Sequence, residues 1–168
     1  AKRLQKLQLD TKPWLKQDPA VMHQLYEESR GVTGLAVYMN HYGGYPVVKN
    51  THVKYFPLGD DMYPVLLREL RKAKRYIFME FFIIDRGEMW GEILKVLEEK
   101  AKSGVEVRVM YDGMCCLALL PYRYPAQLEK KGIRCKMFSP VRPVLSSYQN
   151  NRDHRKVVVI DGLTAFTG

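Results

Sequence analysis

The feature that most constrains this fold is a pair of apolar segments joined by an amphipathic helix pattern. The segment "RYIFMEFFIID", which begins at Arg75, is almost continuously apolar, and such a run predicts a strand buried on both faces. The segment "VEVRVMYD", which ends at Asp112, alternates with a period of two. Between them, helical spacing predicts a helix from about Glu88 to Ser103 that ends at Gly104, with an inward face formed by Trp90, Ile93, Leu94, Leu97 and Ala101. Strand, helix and strand in this order predict a parallel βαβ unit, and therefore an α/β fold.

Weaker patterns extend this unit in both directions. Strands are predicted at "VVKNTHVKYF", "IRCKMF", "KVVVI" and "TAFTG", and the last two are joined by an Asp161–Gly162 hairpin signal. Further helices are predicted after Asp60, as the cap of a helix that carries Leu66, Leu70 and Ala73, and over about Pro125 to Lys131. The predicted architecture is a mixed, mostly parallel sheet flanked by helices.

The first part of the chain has a different composition. Its first 16 residues hold five basic residues against one aspartate, a pattern that suits a juxtamembrane surface segment and equally a solvated basic tail. Asp18 and Pro19 predict a short helix that reaches about Ser29. We therefore divide the chain into a basic, juxtamembrane-like segment with a short helix, residues 1–46, and an α/β lobe, residues 47–168.

Charge and composition limit the partners. The chain has 27 Lys and Arg against 18 Asp and Glu, and the net charge of +9 predicts an anionic partner such as phospholipid, nucleic acid or a phosphorylated small molecule. The longest apolar run contains Glu80 and falls short of the ~20 residues that span a bilayer.

The three cysteines lack metal-ligand spacing and favour a reducing, cytoplasmic setting. A start without methionine and a stop after "AFTG" lead us to expect a piece of a longer protein.

The segment "NNRDHRKVVVIDG" carries the strongest chemical signal. On a strand, His154 and Lys156 leave the same face, while Val157 and Val159 are expected to point the other way into the core. Such a pair suits attack on a phosphodiester, because imidazole can be the nucleophile and an ammonium neutralises phosphate oxygens. Asp161 would lie on the opposite face, and the pattern leaves open whether it orients a histidine or only forms the hairpin. Charged residues also open strands that have no catalytic role.

The longer pattern resembles a known family. "HRKVVVID" has the form His-x-Lys-x-x-x-x-Asp, and "NNRDHRKVVVIDGLTAFTG" resembles the first such motif of bacterial cardiolipin synthases, in the phospholipase D superfamily. The resemblance continues upstream through "YFPLGDDMYPVLLRELRKAKRYIFMEFFIIDRGEMWGEILKVLEEKAKSGVEVRVMYDG", so it covers roughly Val47 to Gly168. It implies a phospholipase D-like lobe, which is one lobe of a two-lobed enzyme.

In that family, two motifs meet at one active site, where one histidine forms a phosphohistidine and the other protonates the leaving alcohol. The resemblance implies that His154 is the nucleophile or its acid/base partner, that Lys156 binds phosphate and that Asp161 supports the motif. It implies no metal and no cofactor. This chain has a single motif, so we expect it to be inactive alone and to need a second lobe, from C-terminal sequence or otherwise from a homodimer.

Other residues are weaker candidates for substrate contacts. Glu80 interrupts an apolar strand and either contacts substrate or a histidine, or forms an ion pair with a basic side chain. Asn150 and Arg152 match the family segment and are candidates to bind lipid phosphate, whereas Arg155 is expected to be solvated or ion-paired. Asp112 ends a strand, where functional groups are common in α/β sheets, although a helix cap is its default role.

The leading functional hypothesis is a phosphatidyltransferase that joins two phosphatidylglycerols into cardiolipin with release of glycerol. One alternative keeps the fold and changes the reaction, to a phospholipase D or a nuclease. Another is a non-enzymatic basic domain that binds anionic membrane or nucleic acid. The first hypothesis predicts phosphatidylglycerol and a membrane surface as partners, at the cytoplasmic face of a bacterial cell membrane. The family's usual N-terminal membrane helices have no counterpart in this sequence.

Overall fold

The chain divides into two units, Ala1–Tyr55 and Phe56–Gly168, in a computed structural model that describes residue 6, residues 9–140 and residues 151–168. The division follows Tyr55, whereas the sequence predicts it after Pro46.

The described part of the first unit is mainly helical up to Gly43 and irregular from Gly44 to Tyr55. Lys12–Leu15 forms a short 3-10 helix. Asp18 begins helix α1 (Pro19–Glu28), because its carboxylate accepts a backbone N–H bond of 2.8 Å at the first turn. Helix α2 (Arg30–Gly43) packs against α1 and ends at Gly44, whose left-handed φ of 71° stops the helix. The predicted short helix is therefore confirmed, and α2 was not predicted because its glycines and tyrosines give a weak helical signal.

The strand predicted from Val47 to Phe56 is wrong. The backbone there is irregular, and Asn50 has a left-handed φ of 65° that interrupts the pleated alternation. Val53 and Tyr55 are almost fully exposed. A β-branched run forms a strand only where a neighbouring strand satisfies its backbone groups, and no described strand pairs with this segment. No helix in the described part of the chain is long and apolar enough to cross a membrane.

The described part of the second unit is a sheet of five strands with three helices. Its helices are α3 (Gly59–Lys72), α4 (Glu88–Lys102) and α5 (Tyr124–Glu129). Its strands are β1 (Tyr76–Phe81), β2 (Glu106–Asp112), β3 (Arg134–Phe138), β4 (Lys156–Ile160) and β5 (Thr164–Thr167). Asp60 lies in the first turn of α3 and does not cap it, because Leu58 occupies the cap position.

The sheet has the order β3-β2-β1-β4-β5. Strands β1, β2 and β3 are parallel, while β4 is antiparallel to both β1 and β5. Of the five described strands, β4 alone therefore runs in the opposite direction. The predicted mixed, mostly parallel α/β fold is confirmed, and so is the βαβ unit, which is formed by β1, α4 and β2.

The core lies between the sheet and the helices on one face. Leu70, Leu97 and Leu128, one from each helix, have no exposed surface. Full burial of a leucine contributes about 1.5–3 kcal/mol. From the strands, the core takes buried residues that alternate along each strand: Ile77, Met79, Val107, Val109, Val158 and Ile160.

Two predictions about which residues face the core are wrong. Val157 and Val159 lie on the half-exposed face of the sheet, whereas Val158 is buried on the same face as Lys156. Strand β1 is likewise buried on one face only, since Phe78 and Glu80 remain half-buried. A run that is apolar at every position carries no alternation. The sequence therefore does not reveal which set of alternate residues faces the helices.

Candidate active site

The direction of β4 brings the start of the motif to the carboxyl edge of the parallel strands. Lys156 pairs in register with Phe81, the last residue of β1, and Asp112 is the last residue of β2. Functional groups in α/β sheets are commonly held at this edge. His154 lies two residues before the start of β4, at the same edge.

His154 and Lys156 form one polar surface. The Lys156 ammonium lies 3.1 Å from Nδ1 and 3.2 Å from Nε2 of the exposed His154 ring, and it donates a 2.9 Å hydrogen bond to the His154 carbonyl oxygen. Because the two ring distances are nearly equal, the ammonium is not aligned with either nitrogen lone pair. A phosphate oxygen placed beside this pair would meet both a fixed positive charge and an imidazole nitrogen.

Phe82 supports this pair from one side. Its ring centroid lies 4.7 Å from that of His154, at an interplanar angle of 53°. The Lys156 ammonium lies 5.4 Å from the same ring centroid, within the range of a cation–π contact. Phe82 therefore contacts both His154 and Lys156 through one aromatic ring, a role that its place in an apolar run did not signal.

Asp112 fixes the backbone that leads into His154. Its carboxylate is fully buried, and Oδ1 accepts N–H bonds of 3.0 Å from Met114 and from Cys115. Its Oδ2 accepts a 3.0 Å bond from the N–H of Asp153, which is 41 residues away in sequence. Burial alone would raise the pKa of Asp112, but these backbone donors outweigh it and hold the pKa below its ordinary value. Capping is thus only part of its role, because it also positions the residue before His154.

A charged cluster lies on the face of the sheet opposite Lys156. It consists of Asp153, Arg155 and Glu80. Arg155 Nε lies 3.0 Å from Asp153 Oδ1, and its Nη2 lies 2.7 Å from Glu80 Oε1. Burial, followed by the hydrogen bond and charge of Asp153, raises the pKa of Glu80. Burial opposes ionisation of Asp153 as well, but the bonds from Glu80 and Arg155 hold its pKa low. Of these two carboxyl groups, Glu80 therefore keeps its proton to a higher pH than Asp153 does.

The sequence missed Asp153 and left two roles open for Glu80. Glu80 lies on the face opposite Lys156, and the ion pair with Arg155 matches one of its two interpretations. Its contact with substrate stays a prediction. Asp153 is 3% exposed, and no local pattern predicts that an aspartate beside a histidine would be buried by strands distant in sequence.

Asp161 lies at the other end of β4 from His154. Its backbone has a φ of 55°, and its carboxylate accepts three 2.8 Å bonds from the N–H groups of Lys74, Arg75 and Tyr76, which lead into β1. The N–H of Tyr76, followed by that of Lys74, lowers the pKa of Asp161. The structure does not bring Asp161 to His154. Its carboxylate instead holds the turn after β4 against the backbone that leads into β1.

The remaining candidates lie beside the histidine or outside the described residues. Arg152 donates a 2.9 Å bond from Nη1 to the carbonyl oxygen of Asn151, and its Nη2 lies 2.7 Å from the Met114 sulfur. Asn150 lies outside the described residues. Phosphate binding by Arg152 and Asn150 stays a prediction. Among the residues that the structure describes, no group of three or more His, Cys, Asp or Glu side chains is arranged to hold a metal ion.

Comparison with known proteins assigns most of the second unit to a family. Residues 66–168 match the family described as cardiolipin synthase, PLD-like domain. An uncharacterized protein of Streptococcus mutans is 49% identical over 157 residues, which are 94% of this chain and 34% of that protein. The cardiolipin synthase of Geobacillus sp. is 37% identical over 127 residues, which are 75% of this chain and 25% of the relative.

Other relatives and structures extend the comparison. Cardiolipin synthase A of Pseudomonas fluorescens is 32% identical over 162 residues, which are 95% of this chain and 32% of that protein. Among solved structures, the phospholipase D family member Nuc of Salmonella typhimurium aligns with a TM-score of 0.42 at 24% identity, over 62% of this chain and 60% of that chain. The chain thus spans about a quarter to a third of the length of these curated relatives.

Proposed function

The chain belongs to the family of cardiolipin synthase, phospholipase D-like domains, and from this premise we propose that it is one lobe of a phosphatidyltransferase. The proposed reaction joins two phosphatidylglycerols into cardiolipin and releases glycerol. The observation that carries the proposal is the exposed His154 ring with the Lys156 ammonium 3.1 Å from its Nδ1, at the carboxyl edge of the sheet.

In the first step, a neutral His154 nitrogen attacks the phosphorus of one phosphatidylglycerol. The bond from phosphorus to the glycerol head-group oxygen breaks, and the leaving oxygen takes a proton from an acid of the second lobe. Lys156 stabilises the phosphate oxygens while charge is redistributed. The products of this step are phosphatidyl-histidine and glycerol.

In the second step, the head-group hydroxyl of another phosphatidylglycerol attacks the phosphohistidine. The acid of the first step, now unprotonated, accepts the hydroxyl proton, and the bond from phosphorus to His154 breaks. Cardiolipin leaves and the free imidazole returns. This scheme needs a second His-x-Lys-x-x-x-x-Asp lobe, which we propose comes from further C-terminal sequence, or otherwise from a second copy of the chain. It needs no metal, because lysine and histidine supply the charge.

The test compares variants of the full-length protein incubated with labelled phosphatidylglycerol and EDTA. We expect His154→Ala to lower cardiolipin formation by about 10³-fold or more. The matched control is His52→Ala, which removes an exposed histidine of the first unit and should retain full activity. Undiminished cardiolipin formation by His154→Ala would reject the assignment of this histidine.

The product separates the related functions. Release of phosphatidic acid instead of cardiolipin would assign a phospholipase D, in which water replaces the lipid alcohol as acceptor. Degradation of DNA that is also lost in His154→Ala would assign a nuclease. Binding of anionic vesicles or DNA, with no turnover of either, would favour the non-enzymatic alternative, and a steep salt dependence with DNA would identify nucleic acid as the partner.

We further propose that the first unit lies on an anionic membrane surface, at the cytoplasmic face of the bacterial cell membrane. The outer face of α2 supports this, since it exposes Val32, Leu35, Met39 and Tyr42 at helical spacing. Trp14 is also exposed. Aromatic residues beside basic ones are typical of segments that bind the headgroup region.

A further inference from the structure

The helix-covered face of the second unit contains an apolar cavity of about 590 Å³, and Lys156 is one of its lining residues. Strands β1, β4 and β5 supply one wall, and helices α3 and α4 supply the other. Its apolar lining includes Leu66, Phe81, Trp90, Ile93, Val158 and Phe166. A volume of this size is within the range of about 300–1,000 Å³ that is usual for ligand sites.

We propose that this cavity holds one acyl chain of the phospholipid whose phosphate reacts at His154. The inference rests on the proposed function, because it assigns a position to the apolar part of the same substrate. Lys156 connects the two regions, since this residue lines the cavity and its ammonium lies 3.1 Å from the His154 ring. A ligand that reaches from the histidine into the cavity must therefore be anionic at one end and apolar at the other.

The entrance of the cavity also suits a lipid. Ile83 and Met89 line the cavity, yet they expose 50% and 48% of their surface. Apolar side chains exposed beside an apolar cavity mark a surface that gains stability when an apolar partner covers it. Asp85, Arg86 and Glu88 lie at the same cavity and form its polar rim. A chain leaving a bilayer would pass Ile83 and Met89 before it reached Trp90.

The experiment measures binding by calorimetry with the full-length protein that carries His154→Ala, so that the ligand is not turned over. The probes are dihexanoyl phosphatidylglycerol below its micelle concentration and glycerophosphoglycerol, which has the same head group and no acyl chains. We expect the lipid to bind at least about tenfold more tightly, because its methylene groups leave water.

Variants then locate the chain. Ile83→Asp and Met89→Asp place a charge at the entrance and should each weaken lipid binding by about tenfold, with little effect on glycerophosphoglycerol. Leu117→Asp and Leu163→Asp are the matched controls, because these leucines are at least as exposed and do not line the cavity. They should change neither affinity. Thermal unfolding of each variant verifies that it is folded.

Equal affinity for the two probes would overturn the proposal, as would lipid binding that the entrance variants leave unchanged. If the cavity is filled by polypeptide, Ile83→Asp should instead lower the melting temperature with no acyl-dependent binding, which also rejects a lipid site. The proposed function is tested separately. Cardiolipin formation without chain-dependent binding rejects only the acyl site, while chain-dependent binding without cardiolipin formation rejects only the transferase.

Discussion

The two ends of β4 carry polar residues of the same eight-residue motif, yet they hold them in opposite ways. At the first end, His154 is exposed and its ring nitrogens lie close to the Lys156 ammonium. At the other end, Asp161 is held by three backbone N–H groups. A group with few partners is free to react with a ligand, whereas a carboxylate saturated with backbone donors stabilises the fold. One motif therefore combines an exposed end, which we propose carries the chemistry and call the reactive end, with a structural end.

The largest effect is expected at the reactive end. Lys156→Ala should lower the rate of phosphodiester turnover by about 10²–10³-fold, because it removes the charge that stabilises the phosphate. Its stability should change by less than about 0.5 kcal/mol, since the ammonium contacts the exposed His154 and the half-buried Phe82 ring and forms no buried ion pair among the described residues. Labelled-lipid turnover and urea unfolding measure the two quantities. Lys156→Arg is the control, and retention of full activity in Lys156→Ala would remove the distinction between the two ends.

The next effect concerns the residue that connects the reactive end to the core. Asp112→Ala leaves the part-buried N–H groups of Met114 and Cys115 and the buried N–H of Asp153 without their acceptor, so it should lower the free energy of unfolding by about 3 kcal/mol. Turnover should fall as well, because the backbone before His154 loses its anchor. Asp112→Asn keeps one acceptor oxygen and should restore part of both.

Urea unfolding and turnover at a temperature where Asp112→Ala is fully folded test this prediction. A variant that is destabilised but turns over lipid at the wild-type rate would show that Asp112 only stabilises the fold. Wild-type stability in Asp112→Ala would show that its hydrogen bonds contribute nothing to the fold.

A moderate effect is expected at the structural end. Asp161→Ala removes three acceptors from the backbone that leads into β1, so the melting temperature should fall by a few degrees. Measured per folded molecule, turnover should fall less than tenfold, because the carboxylate is not in contact with His154. Calorimetry and a turnover assay at low temperature separate the two. A loss as large as that of Lys156→Ala would place Asp161 in the chemistry.

The smallest effect concerns the cluster on the opposite face. The pKa of Glu80 is raised in the folded state, so this group is more protonated there than in the unfolded chain, where its pKa is about 4.3. The contribution of Glu80 therefore lowers the free energy of unfolding as pH rises from about 4.3 through the pKa of Glu80 in the folded protein. Glu80→Gln resembles the protonated form and should abolish this component of the decline.

Urea unfolding of wild type and Glu80→Gln across the pH range from 4 to 8 would measure the difference. The two curves should be close near the acidic end and separate as pH rises, with the glutamine variant more stable. Parallel curves would mean that the pKa of Glu80 is not raised in the folded state.

Local pattern predicted most of the second unit but not its long-range contacts. The spacing of Trp90, Ile93 and Leu97 is sufficient to predict α4, because a helix repeats every 3.6 residues whatever surrounds it. The segment from Val47 shows the converse, since its alternation exists but no described strand pairs with it. Helix α2 was missed because contacts with α1, and not intrinsic propensity, account for it.

The sequence by itself determined the helices and strands of the second unit, the hairpin at Asp161 and the adjacency of an imidazole and an ammonium at His154 and Lys156. Each of these depends on residues only a few positions apart. Only the tertiary structure decided that β4 runs antiparallel to β1. This direction places His154 near Asp112 at one edge of the sheet, and it places Asp161 at the opposite edge. The tertiary structure also decided that Val158, rather than its two neighbours, fills the core. Packing between distant segments sets the direction of a strand and decides which of its faces is buried. A run that is apolar at every position encodes neither.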